Sequence, residues 1–156
     1  MIPERLEWLC TPCPWHVRAM GYLREAIAIR ARFGRCREAW SPHLGRCHAL
    51  VMRAAEQCRR HRRAVVLGSG MAYDVPVAHL TENFDEVVFV DIVHPLASRW
   101  RWGRDPNVRL LQADVTGAVR NAYRAARSPA EPLPISTPSL FAGDGEIDLL
   151  ISMNLL

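Results

Sequence analysis

Four short apolar runs are spaced along the second part of the chain, and the first three end in a glycine turn or an aspartate. Ala64-Val65-Val66-Leu67 runs into Gly68-Ser69-Gly70, Glu86 to Val90 into Asp91, and Val108 to Gln112 into Ala113-Asp114; Ile147 to Ser152 is the fourth. Runs this short, without strict alternation, mark strands covered on both faces, as in a parallel sheet. Helical sequence fills the gaps, roughly Asp74 to Thr81, Pro95 to Arg101 and Thr116 to Arg127, although Pro76 limits where the first of these helices begins. Ser128 to Gly145 carries Pro129, Pro132, Pro134 and Pro138 and reads as a long loop. The order β-α-β-α-β-α-β predicts an α/β fold, a parallel sheet with helices on both faces.

Ligands of open α/β sheets bind at the carboxyl ends of the strands, beside the switch in strand order. Gly68, Ser69, Gly70, Asp91 and Asp114 all fall at that edge. The glycines allow a tight turn and a close approach of backbone to ligand. Asp91 lies 21 residues past Gly70, where a carboxylate can accept from both hydroxyls of a ribose. Asp114 stands 23 residues further on, where it can accept from an adenine amine. The expectation is a site for an adenosine-containing ligand. The dinucleotide fingerprint G-x-G-x-x-G needs a glycine at 73, where the chain has Tyr73, and a P-loop needs a lysine, of which the chain has none. S-adenosylmethionine, with adenine and ribose but no phosphate, is the leading ligand; a dinucleotide of the NAD type is the alternative.

The same segments, Val65 to Gly70, Val87 to Asp91, Val108 to Val115 and Ile147 to Ser152, resemble motifs I to IV of the class I S-adenosylmethionine-dependent methyltransferases across residues 64–156. The resemblance implies a Rossmann-like sheet with strand order 3-2-1-4, the first part of a seven-stranded family sheet in the order 3-2-1-4-5-7-6. It also implies that Gly68, Ser69 and Gly70 pass the methionine part of the cofactor, Asp91 holds the ribose and Asp114 the adenine amine, with Ile92 and Val115 packed on the adenine. Val66 stands where the family carries an acid, and Ala72 where it carries a third glycine. Motif IV reads Ser152-Met153-Asn154-Leu155 rather than the form used for methylating amino groups, so no catalytic base is assigned. These departures motivate a further alternative, a non-catalytic interaction or RNA-binding module on the same fold. The sequence stops after the fourth strand, which suggests a fragment or reliance on a partner, and implies self-association through that apolar strand.

Residues 1–63 read as an N-terminal helical segment preceding a partial cofactor-binding domain at 64–156. After a proline-punctuated start, Val17, Met20, Leu23 and Ile27 give an amphipathic helix from about His16 to Ala39. Ser41-Pro42 then reads as the start of a second helix reaching about Arg60, with Leu44, Cys47, Leu50, Val51, Ala54 and Cys58 on its apolar face. Residues 1–63 hold thirteen arginines against five acids, a net of +8, whereas residues 64–156 hold seven against eleven, a net of −4. A nucleic-acid surface and the solvated faces of arginine-rich helices both produce such a block; the second is the expectation taken. The run Arg59-Arg60-His61-Arg62-Arg63 is read as favouring a helix C-terminus. Five cysteines, an odd count, and acids at the amino terminus fit a reducing, cytoplasmic setting, and no apolar run reaches the ~18 residues of a membrane span. Cys10, Cys13 and His16 have metal-like spacing but lack a second pair, so no metal is assigned. His79, His94 and the five tryptophans are read as structural or packing residues.

Overall fold

In the computed structural model, residues 3–128 and 137–152 are described. They form α1 (Glu4–Cys10), α2 (Trp15–Ala19), α3 (Tyr22–Glu56), β1 (Arg63–Leu67), α4 (Val77–Asn83), β2 (Glu86–Asp91), α5 (Leu96–Trp102), β3 (Val108–Gln112), α6 (Val119–Ala125) and β4 (Ile147–Ser152). All pairings are parallel and the sheet order is β3-β2-β1-β4. The fold is therefore α/β and Rossmann-like, with each strand where its apolar run predicted.

Register explains the core. Ala64, Val87 and Val108 stand side by side across β1, β2 and β3, as do Val66, Phe89 and Leu110. This face packs against Val51 and Ala55 of α3, Val77 and Leu80 of α4, and Trp102 of α5. Successive strand residues point to opposite faces, so Val65, Val88 and Val90 form a second cluster with Leu111, Val115, Phe141 and Ile147. The four central residues Val87 to Val90 are fully buried, and each such side chain contributes roughly 1.5–3 kcal/mol.

The amino-terminal half departs from expectation. A short α1 follows Pro3, and α2 follows Pro14, each proline holding the N-cap position. The single helix expected from His16 to Ala39 is divided at Gly21, whose φ of 87° only glycine adopts readily. Ser41-Pro42 does not start a new helix, since α3 runs through it. The non-helical residue is Cys36 (φ −112°, ψ 18°), between Gly34 and Pro42. Pro42 supplies no N–H to the carbonyl four residues back and its ring crowds that carbonyl, which bends the helix upstream rather than ending it. In α4 the regular helix begins after Pro76, because a residue before proline is driven out of the helical region.

The Arg59–Arg63 run also has a different cause. The helix ends at Glu56, so these arginines do not sit in its last turn. Arg62 donates to both oxygens of Asp148, at 3.0 and 2.6 Å, and pairs with Glu146 at 2.8 Å. Arg63 pairs with Glu86 at 2.5 Å and Asp144 at 2.7 Å, and Arg109 reaches Glu86 at 2.7 Å. The arginines thus fasten the amino ends of the strands together. Hydrogen bonds from Arg62 hold the Asp148 carboxyl down at about 2.

Of the proline-rich stretch, Pro129, Pro132 and Pro134 lie outside the described residues, as do Met153 to Leu156. Among the described residues no helix is long and apolar enough to cross a membrane.

Candidate functional site

The turn after β1 takes its shape from alternate residues in the left-handed region: Gly68 (φ 66°), Gly70 (φ 50°) and Ala72 (φ 52°). Ala72, the residue at the third glycine position, adopts the backbone a glycine there would adopt, at a cost of roughly 1–2 kcal/mol. Three contacts fix the loop. The Ser69 amide donates to the Val90 carbonyl at 3.2 Å. The Gly70 amide donates to Asp91 Oδ2 at 2.7 Å, and the Ser98 hydroxyl to the Gly70 carbonyl at 3.0 Å. The 21-residue spacing between Gly70 and Asp91 is thus a direct bond across two adjacent strand ends.

Asp91 also accepts from its own turn, Val93 N–H to Oδ1 at 3.3 Å. A carboxylate offers about four acceptor positions, so capacity remains on a side chain that is only partly buried. A Cβ built on Gly70 meets nothing within 4 Å. The protein's own packing does not demand glycine there, and the open space is what a ligand lying against the loop needs. Ser69 is buried, and its hydroxyl has no hydrogen-bond partner among the described residues. An orphaned hydroxyl costs about 1–3 kcal/mol, and it sits in the loop the ligand would touch. These features leave room and acceptor capacity for a hydroxyl-bearing ligand along the loop.

Asp114 is engaged elsewhere. Its Oδ1 accepts from the Thr116 amide (3.0 Å) and hydroxyl (2.7 Å), and its Oδ2 from the Val119 amide (2.8 Å), which shapes the turn into α6. Burial raises its pKa, but the bonds from the Thr116 hydroxyl and the Val119, Thr116 and Gly117 amides outweigh it and hold the carboxyl below its ordinary value. Little acceptor capacity is left for an adenine amine. Ile92 joins Val17, Leu23, Ile27 and Val93 under the N-terminal helices, and Val115 packs on the opposite sheet face with Val65 and Val88.

Sequence reasoning missed the residues that lock α1 over this edge. The Glu7 side chain is fully buried, pairs with Arg30 at 2.5 Å, and accepts from the Ala97 amide at 2.9 Å. Thr11 Oγ1 accepts from the Leu96 amide at 3.2 Å. Among the described residues α5 has no side-chain N-cap, so Glu7 of α1 and Thr11, its C-cap, satisfy two of the amide donors the first turn of α5 leaves open. No local signal marks this, because the partners are 85 and 90 residues apart. His94 is buried too: Nε2 donates to the Leu111 carbonyl at 3.1 Å, while Nδ1 has no hydrogen-bond partner among the described residues. Burial pushes its pKa down, against the opposing pull of that bond and of Asp91.

Among the described residues no group of three or more His, Cys, Asp or Glu side chains is placed to hold a metal ion. Cys47 and His43 approach at 3.5 Å, without Cys10, Cys13 or His16. No family model, curated protein or solved structure matches the chain.

Proposed function

We propose that the carboxyl edge of β1 and β2 binds S-adenosylmethionine and that the protein is a methyltransferase of the class I type. The Gly70–Asp91 pair carries the reading. A left-handed glycine with open space beside it is held by an acid from the neighbouring strand, in a sheet of order β3-β2-β1-β4. When bound, the cofactor supplies an activated methyl group on its sulfonium. Gly68, Ser69 and Gly70 would lie along its methionine part, and Asp91 would accept from its ribose hydroxyls with the positions that Gly70 and Val93 leave free. Ile92 and Val115 flank the same edge, and Asp114 shapes the adjoining turn. Orienting the acceptor is work enough for the protein where the donor is already activated. A cytoplasmic setting belongs to this reading and is supported by the odd count of five cysteines.

Isothermal titration with S-adenosylhomocysteine is the test. Binding is expected, with Asp91→Ala weakening it by about 1.5–3 kcal/mol, the scale of hydrogen bonds to a charged group. Heat with NAD and none with S-adenosylhomocysteine would transfer the site to the dinucleotide reading. No heat with either ligand would support the non-catalytic one, for which Val66, buried where the family carries an acid, is the motivating feature.

A further inference from the structure

A groove of about 960 Å³ is lined by α3, the turn after the glycine loop, α4 and α5. At one wall Phe33 and Tyr73 stack with ring centroids 3.7 Å apart and planes within 10°. His48 Nε2 donates to the Tyr73 carbonyl at 2.9 Å, which ties α3 to that turn. Arg37, Arg101, His48 and His79 line the groove, with Glu82 and Asp105 as its acids.

Arg101 and Trp102 of its lining belong to the end of α5, which reads Arg99-Trp100-Arg101-Trp102-Gly103-Arg104. Trp100 is 66% exposed and does not pack in the core as the sequence suggested. The Arg104 guanidinium lies 5.0 Å from the centre of the Trp100 ring, and that of Arg101 4.4 Å from Trp102. Among the described residues neither of these arginines, nor Arg37, is in ion-pair contact with a carboxylate. Arg62, Arg63 and Arg109, by contrast, are all paired. Arg37 and Arg101 thus line the groove without an ion-pair partner among the described residues, and the same end of α5 carries Arg104 and the exposed Trp100 ring.

We propose that this surface binds a single-stranded nucleic acid. Guanidinium groups pair with phosphate oxygens through parallel N–H donors. An exposed tryptophan offers a stacking platform to an unpaired base, and every base has a face to offer it. An acidic protein would use the arginines but leave the Trp100 ring without a flat partner; a nucleic-acid strand uses both. This interaction does not depend on the cofactor reading.

Fluorescence anisotropy of labelled 12-nucleotide oligo(U) and oligo(dT) on the full chain, in low and moderate salt without cofactor, tests the proposal. Binding of either strand is expected, falling with salt as roughly two or three phosphate contacts require. Trp100→Ala should weaken it about tenfold or more, the lower part of the range for losing one stacked base. The double change Arg101→Gln with Arg104→Gln should flatten the salt dependence, whereas Arg120→Gln with Arg124→Gln, on α6, should leave both readings near the parent. Absence of binding at low salt overturns the proposal. So does binding that ignores the Trp100 and α5 changes, an equal loss from the α6 changes, or equal displacement by polyglutamate of matched charge, which would point to an acidic protein. Because Trp100 is exposed, its change leaves the fold intact, and circular dichroism checks this.

Discussion

Gly70 separates two costs that usually arrive together. Its φ of 50° lies where an L residue is strained, yet a Cβ there meets nothing within 4 Å. Gly70→Ala should therefore lower stability by only about 1–2 kcal/mol, the backbone term, read from urea unfolding. A loss of S-adenosylhomocysteine affinity beyond that expected from instability would then report a ligand against the loop; unchanged affinity would make the loop a turn and nothing more. His94 gives a second residue-level expectation. Its folded pKa lies below the ordinary imidazole value of 6.5, chiefly through burial, with Arg99 adding to the shift and Asp91 opposing it. The unfolded chain thus takes up this proton more readily than the folded one. The stabilisation is complete above pH 6.5 and drains away as pH falls towards the lower folded value. Unfolding free energy measured from pH 7.5 to 5 should decline, and His94→Gln should remove part of that slope. A slope identical in the variant would mean that other groups carry it.

Helix α1 is the element whose role is least legible in its own sequence. Glu7 gives a buried partner to Arg30 and an acceptor to the Ala97 amide. Glu7→Ala should cost roughly 1.5–3 kcal/mol, as expected when charged hydrogen bonds are lost, and should speed hydrogen exchange at Ala97. Glu7→Gln, which keeps the carbonyl acceptor, should cost less. If the Ala97 amide exchanges at the parent's rate in Glu7→Ala, α1 is a passive appendage. The same element shows where sequence reading stops. The strands were legible because a strand covered on both faces must be apolar throughout, and Val87 to Val90 are fully buried. The Gly70–Asp91 bond was legible as a spacing, since parallel strands bring their carboxyl ends into one row. In contrast, the seven residues of α1 are too few to show a helical period. The break at Gly21 rather than at Ser41-Pro42 depended on which punctuation the tertiary packing would tolerate. The carboxylate partners of Arg62, Glu146 and Asp148, lie 84 and 86 residues away, so no local pattern could assign them. Asp114 illustrates the remaining ambiguity: an acid at a strand end serves a ligand or its own turn, and here its carboxylate accepts from Thr116 and Val119 of the turn.

At the scale of the whole molecule, β4 stands at one side of the sheet. Among the described residues it pairs with β1 alone. Leu149 and Ile151 turn inward, whereas Leu150 is 58% exposed on the other face. An apolar strand with unpaired backbone groups is a template for another strand, and proteins that keep such an edge single place a charge on it. No charge follows Asp148 within β4, and Asp148 is itself taken up by Arg62. Pairing of β4 with its counterpart in a second copy would be antiparallel about a two-fold axis. Such a pairing uses the β4 edge of both copies and so closes at the dimer. Light scattering over a range of protein concentrations should show self-association, and Leu150→Lys should raise the dimer dissociation constant about tenfold or more, since each partner then loses a buried leucine. Trp100→Ala, on α5 at the far side of the sheet order, should leave that constant unchanged. A parent protein that stays monomeric at every concentration would show that the β4 edge is protected. Self-association that survives Leu150→Lys but disappears with Trp100→Ala would move the contact to the arginine–tryptophan surface, where added oligo(U) should then compete with it.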